Sequence, residues 1–454
     1  MKILLIEPPA NSHDIVTGVV GLAEPLALEC VASCIPEHEV EILDMRVDGD
    51  LQKELRKFKP DIVGTTCYAV GMRISKELLR EIKKFDSKIF TVIGGHHATL
   101  KPEDFFESYI DFVAIGEGEE TFKELVENLE SGKDISNVLG IAYQNNDQFF
   151  MTDERPLLDL DELPFPKREL VEKYRKRYFR GIWRPINSLY TSRGCPFKCS
   201  FCSMWKVNRG KYRIRSAESV VNEIENIPGK YIDFVDDNTL ADVKRAYKLC
   251  ELIKERGIEK VYKVYARTDT IARNPDLIKR WKEIGLGLIL IGFESFRDKE
   301  LKKWNKKTSI EQNEKVLSIL KDNNIEAAAY FVVDPDFGKE DFEALSRYVK
   351  SKDLTHPVFT IFTPLPGTDI YEEKKDELND NYELFDFYHA VQETKLPKKE
   401  FYTCFVDLYK KAYSSGGFLK SFKKNKSSFI GSQILLKLRY LRGLNNLIKN
   451  AEKF

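Results

Sequence analysis

Along the first third of the chain, short apolar runs alternate with longer amphipathic stretches. The runs are Lys2–Ile6, Val40–Leu43, Asp61–Thr66, Ile89–Ile93, Phe112–Ile115 and Ile141–Gln144, and Lys76–Lys84 and Glu119–Leu129 are two of the stretches between them. Runs this short and continuous read as strands buried on both faces, and the amphipathic stretches as helices that cover them. The pattern predicts an α/β unit, a doubly wound parallel sheet, over residues 1–145.

The alternation then stops. Asn145-Asn146-Asp147 leads into a segment ending Asp161-Glu162-Leu163-Pro164-Phe165-Pro166, where prolines and alternating acids break regular structure. Residues 146–186 are expected to be a connector with no chemistry of its own. From Asn187 the alternation resumes, with strands at Ser188–Thr191, Ile232–Val235, Tyr262–Ala266, Leu288–Gly292, Ala328–Val333 and Val358–Ile361. Helices are expected at Ala217–Asn226, Val243–Glu255, Pro275–Ile284 and Ile310–Lys321, the last opening on a Ser309-x-x-Gln312 capping box. Six strand–helix repeats predict a partial (β/α)6 barrel over residues 187–375, whose working face is the C-terminal end of its strands.

Residues 376–454 read as a helical C-terminal region with a distinct tail. From Lys410 onward there are eleven Lys or Arg against one acid, Glu452. Apolar positions such as Ile434, Leu438, Leu441, Leu444 and Ile448 recur at helical spacing. A basic amphipathic helix of this kind either lies on an anionic membrane surface or packs its apolar stripe on the barrel.

With 454 residues the chain exceeds a single ordinary core and holds two or three domains. Lys+Arg and Asp+Glu both number 72, which points to no nucleic-acid partner. No apolar run reaches the ~20 residues of a membrane span, and Met1–Ile6 lacks a signal peptide's long apolar core. Eight cysteines, three of them clustered, are no disulfide framework, so a reducing cytoplasm is expected, with the tail as the one element able to touch the inner membrane surface.

The clustered cysteines carry the chemistry. Cys195, Cys199 and Cys202 form CxxxCxxC directly after a strand and the turn Ser192-Arg193-Gly194. Four thiolates usually hold a cubane iron–sulfur cluster, so three leave one iron open to a chelating ligand. The alternative is a zinc site or scattered core cysteines, although zinc usually takes paired sets and no second pair exists here. In the N-terminal unit, the loops at the carboxyl ends of the strands are where a ligand would bind. They are Glu7-Pro8-Pro9, Thr65-Thr66-Cys67, Gly94-Gly95-His96-His97 and Gly116-Glu117-Gly118-Glu119.

The Gly-Cys-Pro-Phe prefix, the three cysteines and Phe201 between the last two resemble the radical S-adenosylmethionine (SAM) superfamily, and the N-terminal unit resembles the cobalamin-binding domain fused to many of its members. The resemblance implies a [4Fe-4S] cluster on Cys195, Cys199 and Cys202, with SAM on the open iron. SAM contacts are expected from Phe201 and from the strand ends, at Asp236, Asp237, Arg267 and Glu294, Arg267 pairing with the SAM carboxylate. Cobalamin contacts are expected at Thr65, Thr66, Gly94, Gly95, His96, Gly116 and Glu117. The Asp-x-His-x-x-Gly loop that ligates cobalt in mutases is absent, so cobalt is expected without a protein His ligand; His13 is a loose candidate. Trp304-Asn305-Lys306-Lys307 and Thr363-Pro364-Leu365-Pro366-Gly367-Thr368 resemble the hopanoid C-3 methylase branch, whose relatives modify lipids. The implied activity is methylation of an unactivated carbon of a small-molecule or lipid substrate, with a flavodoxin- or ferredoxin-type electron donor. Ring or bridge closure in a membrane lipid, a tRNA methylthiotransferase and a non-catalytic cobalamin sensor are the other readings.

Overall fold

In the computed structural model, residues 1–145, 148–354, 356–414 and 430–454 are described, except for the side chains of 414 and 430–436. The N-terminal sheet has seven strands, in the order Glu39–Asp44, Lys2–Glu7, Ile62–Thr66, Phe90–Gly94, Phe112–Ala114, Ile141–Asn145 and Gln148–Met151. The first five pair in parallel and the last two antiparallel. The sheet therefore runs past residue 145, and Ile141 opens an antiparallel edge rather than a sixth parallel strand. The edge strand Gln148–Met151 is apolar at three of its four positions yet largely exposed, and at four residues it is too short to stand out as a run.

Strand alternation explains the two covering layers. Ile3 and Leu5 point toward helices Leu26–Ser33 and Gly118–Ser131, joining a core with Leu28, Ala32, Phe122 and Leu125. Leu4 and Ile6 point the other way, toward Leu51–Phe58 and Met72–Phe85, and pack with Leu55, Phe58, Leu79 and Ile82.

The second sheet has six parallel strands in sequence order: Ile186–Leu189, Tyr231–Phe234, Val261–Ala266, Leu286–Glu294, Glu326–Val333 and His356–Ile361. Helices Ala217–Asn226, Val243–Glu255, Pro275–Glu283, Ile310–Asp322 and Lys339–Ser351 follow successive strands. The Ser309 capping box forms, with the Gln312 amide donating to Ser309 Oγ and the Ser309 amide to Gln312 Oε1, both at 3.2 Å. The Leu286–Glu294 strand shifts register between Gly292 and Glu294, and Glu294 adopts a positive φ of 61°.

The connector does more than join the halves. Arg168 and Arg175 both donate to the buried Glu24 of the N-terminal unit, and Glu24 also accepts from the Ser188 amide at the start of the barrel. Arg168 further donates to Glu223 at 2.6 Å. A second clamp joins Glu117 and Glu119 to Arg193, and Glu117 to Arg213.

In the tail, helix Ile430–Lys449 packs on helix Lys398–Ser414. Tyr440, Leu444, Leu447 and Ala451 are buried in the barrel's core, while Arg439, Arg442 and Lys449 face solvent. Of the expected apolar stripe, Leu444 is buried and Leu441 and Ile448 pack against the core, whereas Leu438 is 59% exposed. Phe418, Leu419, Phe422 and Phe429 lie outside the described residues. Among the described residues no helix is long and apolar enough to cross a membrane.

Candidate functional site: the cysteine loop and the interdomain cleft

The cysteine loop starts at Gly194, whose φ of +84° and close approach to the Lys211 carbonyl admit no Cβ. The Cys202 amide donates to the Cys199 carbonyl at 3.1 Å, and Trp205 Nε1 reaches the same carbonyl at 3.3 Å. A second segment, Trp304–Lys306, backs the loop. The Trp304 carbonyl accepts from the Ser200 amide at 3.2 Å, and Asn305 Nδ2 donates to the Lys198 carbonyl at 2.8 Å. The Trp304 ring, 1% exposed, meets Phe201 edge-on and stacks on Phe362. Two donors point at the sulfurs: Arg267 Nη1 at 3.7 Å from Cys199 Sγ and Asn238 Nδ2 at 3.9 Å from Cys195 Sγ.

Burial raises the Cys195 thiol, and it pushes Cys202 up to about 12, with the neighbouring thiols Cys199 and Cys195 adding to the effect. Left to themselves these groups stay protonated; a bound metal's positive charge is what converts such thiols to thiolates. Among the described residues no three His, Cys, Asp or Glu side chains converge as a single metal ion requires. A cubane places its ligands on separate irons, and a three-thiol loop with donors aimed at the sulfurs suits it.

The strand ends divide the expected SAM contacts. Asp237 stands at the loop, accepting from the Gly194 amide at 3.0 Å; burial and the Asp236 charge push its carboxyl up to about 6. Beside it, Asn238 Oδ1 is buried and, among the described residues, has no hydrogen-bond partner, so it can accept from an ammonium or hydroxyl. Asp236 differs from expectation. Its oxygens take the Thr191 Oγ1 proton at 2.7 Å and the Thr191 and Ser192 amides, which fixes the turn into the cysteine loop. Arg267 is likewise committed within the protein: Nε to Asp269 at 2.9 Å, Nη2 to the Lys306 carbonyl and Nη1 toward Cys199. It positions the loop and presents no open fork to a carboxylate. Glu294 pairs with the buried Lys306 Nζ at 2.6 Å.

On the N-terminal unit, His96 is the one expected cobalamin contact that lines the large cavity between the halves. Its Nε2 meets Ser203 Oγ at 3.1 Å, and burial, with His97 adding, pushes it down to about 4, so it is neutral near pH 7. Thr65 donates to the Ile6 carbonyl, and Gly95, at φ +98°, has no room for a Cβ beside Thr66 Oγ1 and the Cys67 amide. These two serve strand and turn packing, and none of Thr65, Thr66, Gly94, Gly95 and Gly116 lines the cavity. Glu117 is engaged by Arg193, Arg213 and the Leu158 amide, so it clamps the halves together. His13 packs edge-on against His389 and Phe454. Sequence reasoning missed Tyr68, a 65% exposed residue that lines the cavity and stacks on His96. An aromatic residue just beyond the Ile62–Thr66 strand was the available signal.

The cavity measures about 2150 Å³. Tyr68, Val70, His96 and Leu100 form one wall, and Phe201 to Met204 face them. From this cleft it continues into the barrel. Aromatic and imidazole surfaces at a strand-end cleft suit a broad flat macrocycle, and the cysteine loop stands across the same space.

A B12 binding domain model matches residues 12–126, and a radical SAM superfamily model matches residues 189–349. The chain is 30% identical to the hopanoid C-3 methylase of Methylococcus capsulatus, an alignment covering 100% of this chain and 87% of that protein. It is 34% identical to an uncharacterized methyltransferase of Pyrococcus horikoshii over 82% of this chain and 83% of the relative. The radical SAM methyltransferase TsrM of Kitasatospora setae, solved with cobalamin and a [4Fe-4S] cluster, superimposes with a TM-score of 0.65 at 19% identity, over 83% of this chain and 74% of that one. The chain belongs to the cobalamin-binding radical SAM enzymes, on the methyltransferase side of that family. Its cofactors are cobalamin, a [4Fe-4S] cluster and SAM.

Proposed function

We propose that this enzyme methylates an unactivated carbon of a membrane lipid, of isoprenoid or hopanoid type, and that Cys195, Cys199 and Cys202 hold the cluster. The observation that carries the substrate reading is the cavity of about 2150 Å³, which extends from the cysteine loop down the barrel past Leu288, Leu290, Ala328 and Val358. A hydrocarbon is held there by burial, worth roughly 25 cal/mol per Å² of apolar surface. Similarity to a hopanoid methylase supports the same class.

When bound, the cluster and SAM supply a radical able to take hydrogen from an unactivated carbon, and cobalamin supplies the methyl group. The chain's residues do the positioning. Asp237 and Asn238 receive the SAM ammonium or ribose hydroxyls, Tyr68 and neutral His96 face the macrocycle, and Trp304 with Arg267 fixes the cysteine loop. An external one-electron donor completes the system.

Mass spectrometry of lipids from cells with and without the gene tests the substrate class. The expected result is loss of one lipid species heavier than its precursor by a methylene. A change of two hydrogens would replace methylation by ring or bridge closure, and an unchanged lipid profile would overturn the lipid reading.

A further inference from the structure

Inside the barrel, charged groups stand where a hydrocarbon site needs none. Lys263, 1% exposed, bridges to Asp233 on the neighbouring strand and donates to Tyr265 Oη at 2.9 Å. Arg180, from the connector, lines the cavity together with Tyr265 and Tyr330. Its guanidinium makes, among the described residues, one side-chain hydrogen bond, to Tyr330 Oη at 3.5 Å. Two cations against one carboxylate leave this cluster one positive charge in excess.

Among the described residues, the carboxylates of Asp14, Asp386, Glu314 and Glu326 that line the cavity have partners other than Arg180. Asp14 accepts from the Val16 and Thr17 amides, and Asp386 is held by His389 and the Tyr388 amide. Glu314 pairs with Lys352 and Glu326 with His356. Residues 415–436 contain no Asp or Glu. A half-buried guanidinium that shares the Asp233 charge with Lys263 keeps capacity for a further anion, and a fork beside two phenolic hydroxyls is what binds carboxylate or phosphate.

We infer that Arg180, Tyr265 and Tyr330 form a subsite for an anionic group, carboxylate or phosphate, on an otherwise apolar substrate. Resting on the proposed function, this narrows the substrate to an anionic amphiphile. Tyr265 precedes Arg267 by two residues, about 7 Å of strand, so the anion would sit within a few carbon–carbon bonds of the cysteine loop's level. The remaining chain would run past Leu288, Leu290 and Val358.

Equilibrium dialysis of the reconstituted full-length protein with decyl phosphate, decanoate and decanol tests the subsite. The expected result is that at least one anion binds roughly tenfold or more tighter than decanol; which of the two leads tells phosphate from carboxylate. Arg180→Met should abolish the preference, Arg180→Lys restore part of it, and Tyr330→Phe weaken it without loss of folding by circular dichroism. Equal binding of all three probes, or an intact preference in folded Arg180→Met, would overturn the inference. Reductive SAM cleavage by the unaltered protein reports separately on the proposed function, and its absence would leave the anion measurement standing.

Discussion

The Arg267 guanidinium lies over the ring of Phe197, 3.6 Å from its centroid, while Nη1 reaches toward the Cys199 sulfur. Stacking, the Asp269 pair and the Lys306 carbonyl together hold a strand-end residue against the loop that precedes it by some seventy positions. Arg267→Ala leaves Asp269 buried without its partner, a change of about 3–5 kcal/mol. The expected outcome is a loss of iron and sulfide content after anaerobic reconstitution, with no rescue by Arg267→Lys, which restores neither fork nor plane. A variant that keeps its full cluster but fails to bind SAM would instead mean that Arg267 contacts SAM.

Glu24 closes the junction between the halves. Removing it by Glu24→Ala takes the carboxylate from the buried Arg175 and one of two from Arg168, and urea titration should show about 3–5 kcal/mol less stability. A loss below about 1 kcal/mol, the range of surface pairs, would contradict the clamp.

His96 gives the protein without cofactors an acid-side sensitivity. Its folded pKa of about 4 lies below the unfolded value of ~6.5. Above pH ~6.5 both states hold a neutral ring, so nothing is lost; as the pH falls toward 4, the unfolded chain takes up a proton that the folded chain refuses. Stability should fall by about 3 kcal/mol across that window. Glu7 and Glu29, raised by burial to about 7 and about 8, act in the opposite direction, so the comparison of wild type with His96→Gln is the measurement. An identical acid slope in both proteins would mean that His96 is not desolvated.

Over Tyr440, Leu444 and Leu447 the tail is structural, while Leu438 stays exposed. Leu444→Ala should cost about 2–5 kcal/mol, since the side chain is fully buried. Liposome binding should not change with it. Weaker binding at unchanged stability would restore a membrane role to this stripe.

Much of this was legible in the sequence because the signals are local. Parallel strands buried on both faces print continuous apolar runs, and Ser309 with Gln312 prints a cap. The cysteine spacing prints a loop. What stayed hidden depends on partners distant in sequence. Nothing near Asp236 shows that Thr191 and Ser192 will occupy it, or that Glu117 will meet Arg193 and Arg213. Gly95 reads as room for a ligand, yet its freedom serves a close turn against Cys67. The connector's broken pattern concealed Arg180, whose place is set by the barrel it lies against.

The most direct measurement uses SAM carrying a trideuterated methyl group. Anaerobically reconstituted protein with cobalamin and a reductant would be incubated with lipid extract from cells lacking the gene. The expected result is 5′-deoxyadenosine together with one lipid carrying the three deuterons, both abolished in the Cys195→Ala, Cys199→Ala, Cys202→Ala triple variant. Full 5′-deoxyadenosine formation by that variant, or a deuterated lipid formed without cobalamin, would contradict a cobalamin-dependent radical methylation seated at this loop.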